Sequence, residues 1–315
     1  MILPCPVEPK QILRLPVTLS LVFLNVFIYI VFFSGAGESL ASSRILTSDS
    51  LIMSGRLYRQ YLDQLTPAEV STRPQWIGAM KAGDPGQMEV LGAFALRDGG
   101  FLSQAPSMAF QGDEVAINSW LTDLKDFQSK YFSQVLFQFG LSSVQSGPLS
   151  WITYQFSHAG LIHLFSNLVF LIVMGAAVEV TSGSLAVLLI YMAGGFAGGL
   201  GFLMANAHGM IPMVGASASV SALLAFYCLA EVRPRIRYAY FVTPIQGQYG
   251  FIYLPTLLII PLFLLVDVSS LLATPEGLGS GVAYSAHLGG SLLGFTAAGM
   301  WRLKKYLTIN SALLR

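Results

Sequence analysis

Gly215-Ala216-Ser217-Ala218-Ser219-Val220-Ser221-Ala222 opens an apolar segment that runs on to Ala230. A run of such small side chains lets one helix lie close against the backbone of another, which is how helices associate where the surrounding lipid is as apolar as they are. The same stretch also has a chemical reading. A serine at the mouth of a helix, between small neighbours, is open to a substrate backbone, and the unpaired N–H groups of a helix start can face an oxyanion. What weights the two readings is the position of the four histidines, His158, His163, His208 and His287, none of which lies in the polar part of the chain.

Composition sets the class. Of 315 residues, 54% are hydrophobic and 10% charged, with mean hydropathy +0.64, the make-up of a membrane protein rather than of a soluble enzyme. A formal net charge of +1 gives no reason to expect nucleic acid as a partner. Cys5 and Cys228 stand in a short leader and inside an apolar segment, so no disulfide framework is expected. Residues 35–150 hold 8 of the 17 Lys and Arg and 11 of the 16 Asp and Glu, which marks them as a separate, extramembrane part.

An apolar run of about 19 residues, 15–33, follows Lys10 and Arg14 and exceeds the roughly 7–15 residues of a signal-peptide core. It reads as a retained membrane helix. Further apolar segments at about 157–178, 184–205, 215–230, 251–271 and 281–301 bring the expected number of spans to six. The basic residues fit that count: Lys10 and Arg14 precede the first span, Arg233, Arg235 and Arg237 follow the fourth, and Arg302, Lys304, Lys305 and Arg315 follow the sixth. Both termini are then cytoplasmic, and the 35–150 part, the loop around His208 and the loop near Pro275 face outward.

Within 35–150, Leu57, Tyr58, Tyr61, Leu62 and Leu65 share a helical face, and Thr66-Pro67-Ala68-Glu69 reads as a capping box. A longer helix is expected over 113–138, with Trp120, Phe127 and Tyr131 on an apolar stripe set near the outer mouth of the bundle, where it binds clients or lipid. Joined to the spans at Ser34 and Ser150, this part is expected to be separable from catalysis.

On this orientation Ser217 lies within about one turn of the outer end of the fourth span, and His287 about six residues, roughly 9 Å, below the outer end of the sixth. Gly290 and Gly294 form a GxxxG that favours close approach of these two helices. His163 and Asn167, at i and i+4 of the second span, share a face in the same outer half and serve as paired donors. His158 reads as a structural hydrogen-bonder. An ionisable residue inside a span points to function, and these polar groups gather at one depth. A transporter or channel would instead set polar residues at several depths.

These three motifs resemble those of the rhomboid intramembrane serine proteases: His158, His163 and Asn167; Gly215-Ala216-Ser217-Ala218; and Ala286-His287-Leu288-Gly289-Gly290. Gly175, Glu179, Gly183, Tyr191 and Gly194 add to the likeness, which covers about residues 15–34 and 151–303. The resemblance implies an all-α membrane protein, a six-transmembrane-helix bundle with a helical extracytoplasmic insertion between helices 1 and 2. Its parts are a cytoplasmic N-terminus 1–14, helix 1 at 15–34, the insertion 35–150, a five-helix catalytic core 151–303 and a cytoplasmic tail 304–315. It implies Ser217 as nucleophile, His287 as general base, and His163 and Asn167 as oxyanion donors, with no cofactor and no metal. Substrates are then transmembrane segments of other proteins in the bilayer, and the setting a bacterial inner membrane. A rhomboid-like binder without activity is the alternative. Ala218 departs from the family's glycine and is expected to narrow the oxyanion site, and the Trp-Arg pair before the second span is missing. The expected mechanism is a Ser–His dyad, with Asp267 read as a solvated carboxylate at the interface.

Overall fold

The computed structural model describes residues 2–4, 15–34, 43–144, 147–206, 209–230, 236–241, 249–254, 259–273 and 282–313. Cys5, Lys10, Arg14, His208, Arg233, Arg235, Pro275 and Arg315 lie outside them, and with them the expectations that rest on those residues. In chain order the elements are β1 (Ile2–Pro4), α1 (Pro16–Phe33), α2 (Ser48–Leu62), α3 (Pro67–Ser71), α4 (Trp76–Ala79), α5 (Pro85–Ala95), α6 (Gly99–Gln104), α7 (Glu114–Ser133), α8 (Val135–Phe139), α9 (Ser150–Thr153), α10 (Leu161–Ser182), α11 (Ser184–Ala205), α12 (Ser217–Ala230), β2 (Ile236–Phe241), β3 (Tyr249–Leu254), α13 (Ile259–Ala273) and α14 (Tyr284–Leu313).

Among the described residues α1, α10 and α11 are long and apolar enough to cross a membrane, and α12 is a shorter apolar helix. The chain is not all-α. β1, β2 and β3 form a three-stranded antiparallel sheet in that order, with Ile236 opposite Leu254 and Phe241 opposite Tyr249. The segment expected to open a fifth span at 251 is therefore strand until Leu254, and helix resumes at Ile259. Apolar β-branched and aromatic residues suit a strand as well as a buried helix, and a short run does not separate the two. Phe251 and Tyr253 are exposed while Ile252 between them is half-buried, the period of a strand.

α12 is the axis of the bundle: α10, α11 and α14 pack around it, and nearly all of its residues are buried. Close contact is made by glycine. A Cβ added at Gly194 of α11 would stand 2.3 Å from Ala222 Cβ, so α11 and α12 meet at a distance larger side chains would forbid. At the far end, Pro16 opens α1 without needing a hydrogen-bond acceptor. The next free N–H groups, those of Val17 and Thr18, donate to the buried Glu179 carboxylate at 3.0 and 2.8 Å. The hydroxyls of Thr18 and Ser184 donate to the same group at 2.6 and 2.7 Å, so one side chain at the end of α10 caps α1 and ties down the start of α11.

Residues 43–144 build a second core from Leu57, Tyr58, Met88, Leu91, Phe101, Trp120, Leu124 and their neighbours. α2 and α5 cross at two glycines, where a Cβ at Gly55 would lie 2.1 Å from the Met88 carbonyl oxygen and one at Gly92 1.8 Å from that of Leu51. The capping box at Thr66 is present, and Asp84, Asp98 and Asp113 cap α5, α6 and α7. Asp98 also accepts from Arg73 Nε at 2.6 Å and from Tyr58 OH at 2.7 Å. Burial, and after it the Asp98 charge, holds the Tyr58 phenol well above its ordinary pKa. The long helix expected over 113–138 breaks at Gln134, whose extended backbone separates α7 from α8. Its aromatic stripe faces inward: Trp120 and Phe127 are 3% and 6% exposed and belong to this core, which corrects the expectation of a client-binding face.

Candidate functional site

Three helix starts meet at one end of the bundle. Ser217 is the first residue of α12, His287 lies in the first turn of α14, and His163 lies in the first turn of α10. α12 and α14 are brought together by Gly290 and Gly294, where an added Cβ would stand 2.1 Å from the Ala218 carbonyl oxygen and 2.2 Å from that of Ala222. The second contact is four residues beyond the first on both helices, so the two run parallel at constant register. That register sets His287 about two residues, roughly 3 Å, above Ser217 along the axis. Ser217 itself is half-buried, and its hydroxyl has no hydrogen-bond partner among the described residues.

Gly215 shapes the approach to the serine. Its φ of +117° favours glycine, and an added Cβ would fall 2.8 Å from both Cε1 and Nε2 of His163. The His163 ring thus rests on the backbone two residues before Ser217, and Asn167 Nδ2 lies 3.6 Å from the same point. Asn167 donates one amide hydrogen to the His163 carbonyl at 3.0 Å, which leaves it a second. His158 is buried with its ring centroid 5.2 Å from that of His163. Its Nδ1 is 3.3 Å from the Phe156 carbonyl, so it braces its own loop rather than a neighbouring helix.

The Ala218 methyl is turned toward α11. It is 1% exposed and packs on Gly198 of α11, where an added Cβ would lie 2.3 Å from it. The expectation for Asp267 is corrected. The residue is 3% exposed rather than solvated, and its Oδ1 lies 3.1 Å from His287 Nδ1.

Two features of the site were missed in the sequence. Gln155 is 1% exposed and holds three elements together: its side chain accepts from Ser219 Oγ at 3.1 Å and donates to the Trp151 carbonyl at 3.0 Å, and its own carbonyl accepts from Tyr191 OH at 3.2 Å. A lone glutamine outside any motif gave no signal. The other is the loop between α11 and α12. Met210 is buried in the core of the 43–144 part, its N–H donates to the Arg97 carbonyl at 3.0 Å, and Tyr131 OH donates to the Met210 carbonyl at 3.2 Å. Leu141 and Met213 exchange backbone hydrogen bonds at 2.9 and 2.7 Å. The loop that delivers Ser217 is therefore clamped by the part expected to be separable from it.

The Rhomboid domain family matches residues 145–303. A stretch of 74 residues is 38% identical to Rhomboid-related protein 3 of Homo sapiens. It covers 24% of this chain and 18% of that protein, so the likeness reaches only a small part of the relative's length.

Proposed function

The chain belongs to the rhomboid family and is an integral membrane protein, and from that premise we propose that it is an intramembrane serine endopeptidase with Ser217 as nucleophile and His287 as general base. The observation that carries the reading is the packing of Gly290 on the Ala218 carbonyl, which draws the starts of α12 and α14 together at a common depth. Ser217 Oγ passes its proton to His287 and attacks a peptide carbonyl of a membrane-inserted substrate. The resulting oxyanion is received by His163, Asn167 and N–H groups at the start of α12. Collapse expels the amine, which takes the proton from His287, and water hydrolyses the acyl-enzyme.

The remaining parts of the reading follow the same line. The six apolar helices α1 and α10–α14 serve as spans, residues 35–150 stand on the extracytoplasmic side, and both termini are cytoplasmic, in a bacterial inner membrane. A substrate helix must unwind locally, because a hydrogen-bonded helix conceals its carbonyls. The test is covalent labelling. Protein purified in detergent and treated with a fluorophosphonate is expected to label at Ser217, and Ser217→Ala and His287→Ala are expected not to. Labelling that persists in Ser217→Ala refutes the assignment of the nucleophile.

A further inference from the structure

The dyad asks His287 to act with nothing behind it, yet a carboxylate stands there. Asp267 lies on α13, which packs against both α12 and α14. Its neighbours Leu265, Val266 and Val268 are 65%, 53% and 40% exposed, while Asp267 is 3% exposed with Oδ1 3.1 Å from His287 Nδ1. In this stretch the acidic side chain is the one turned into the bundle.

We propose that Asp267 is the positioning residue of His287, completing a Ser217–His287–Asp267 triad in which the carboxylate accepts the Nδ1–H and leaves Nε2 as the basic atom presented to Ser217. The inference rests on the protease reading and deepens it. A neutral imidazole carries one ring proton, and which nitrogen bears it is set by the hydrogen bond the other atom makes. An unsupported ring divides itself between tautomers and orientations, whereas a carboxylate at Nδ1 holds the useful one. When the Ser217 proton moves to Nε2, the ring becomes an imidazolium in a region poor in water, and a fixed negative charge about 3 Å away stabilises it. The proton stays on His287 until the leaving amine takes it.

Burial supports a functional role over a structural one. A carboxylate away from water is costly unless it is paired and its lone pairs are used. Asp267 Oδ2 is buried and makes no hydrogen bond among the described residues, so His287 is the polar contact that holds this side chain there. Glu179 is the contrast in the same bundle, with four donors and a plain capping task. Among the described residues the Tyr284 ring also stands edge-on to His287, at 6.2 Å.

The experiment compares wild type, Asp267→Asn and Asp267→Ala, purified in detergent, by thermal melt, by the rate of fluorophosphonate labelling and by nitrogen-15 spectra of labelled histidine, with His287 assigned through His287→Ala. The expected result is a wild-type His287 protonated at Nδ1, and an Asn variant that melts like wild type but has lost that tautomer. Its labelling is expected to slow by at least about 10²-fold, approaching the ~10⁴ that the same change costs in a serine-protease triad. Wild-type labelling rates in both folded variants overturn the proposal. So does a rate that falls only with the folded fraction while the tautomer stays put. The wild-type spectrum needs no variant: a His287 protonated at Nε2 overturns the proposal whatever the variants do. A wild type that never labels sinks the protease reading instead, and the tautomer then decides the Asp267 assignment by itself.

Discussion

A side chain at Gly290 would begin 2.1 Å from the carbonyl oxygen of Ala218, the residue that follows Ser217. The obstacle is backbone on the most buried helix of the bundle, so it cannot swing aside as the tip of a flexible side chain would.

Gly290→Ala is therefore expected to push α14 off α12 and move His287 away from Ser217. Overpacking of this kind costs about 1–3 kcal/mol, and a misplacement of about 1 Å at a reacting centre costs on the order of 10²-fold in rate. Gly299→Ala, on the same helix but with nothing within 4 Å of the added methyl, is the control and should behave as wild type. Thermal melts and labelling rates of the two variants decide the matter; equal behaviour removes the glycine contact from the account of the site.

His163→Ala and Asn167→Ala are expected to slow turnover without abolishing it. Loss of one oxyanion donor typically costs about 10²–10³ in rate, whereas loss of the nucleophile closes the covalent path. Cleavage of a transmembrane test substrate by each single variant measures this. Should both cut at the wild-type rate, His163 and Asn167 are not oxyanion donors, and their place beside Gly215 is one of packing alone.

The insertion and the loop before Ser217 share a core, so their separation has a cost. Met210→Ala leaves a cavity in the core of the insertion, for which truncation of a buried methionine predicts about 2–5 kcal/mol. Replacing residues 48–139 with a Gly/Ser linker is expected to leave a bundle that still melts cooperatively but labels at Ser217 about 10²-fold more slowly, because the loop has lost its anchor. Undiminished labelling of the replaced protein shows that the clamp has no bearing on the serine.

Much of this was legible in the chain itself. The apolar runs located α1, α10, α11 and α12, since a long uncharged segment has few alternatives once a bilayer is the solvent. Thr66 with Glu69 declared a capping box because both partners of a cap lie within one turn. Ser217, His287, His163 and Asn167 stood out because ionisable and polar side chains are conspicuous in an apolar background. The tertiary structure decided what depends on rotation and on contacts between distant segments. A membrane helix is apolar all round, so its pattern does not say which residue faces a neighbour, and the burial of Asp267 against His287 emerged only once α13 was set against α14. Periodicity gave 113–138 an apolar stripe but not its partner, which is why Trp120 and Phe127 read as a free face and are the module's own core. The order of the apolar helices belongs to the sequence, whereas the company each side chain keeps is set by packing, which no local pattern encodes.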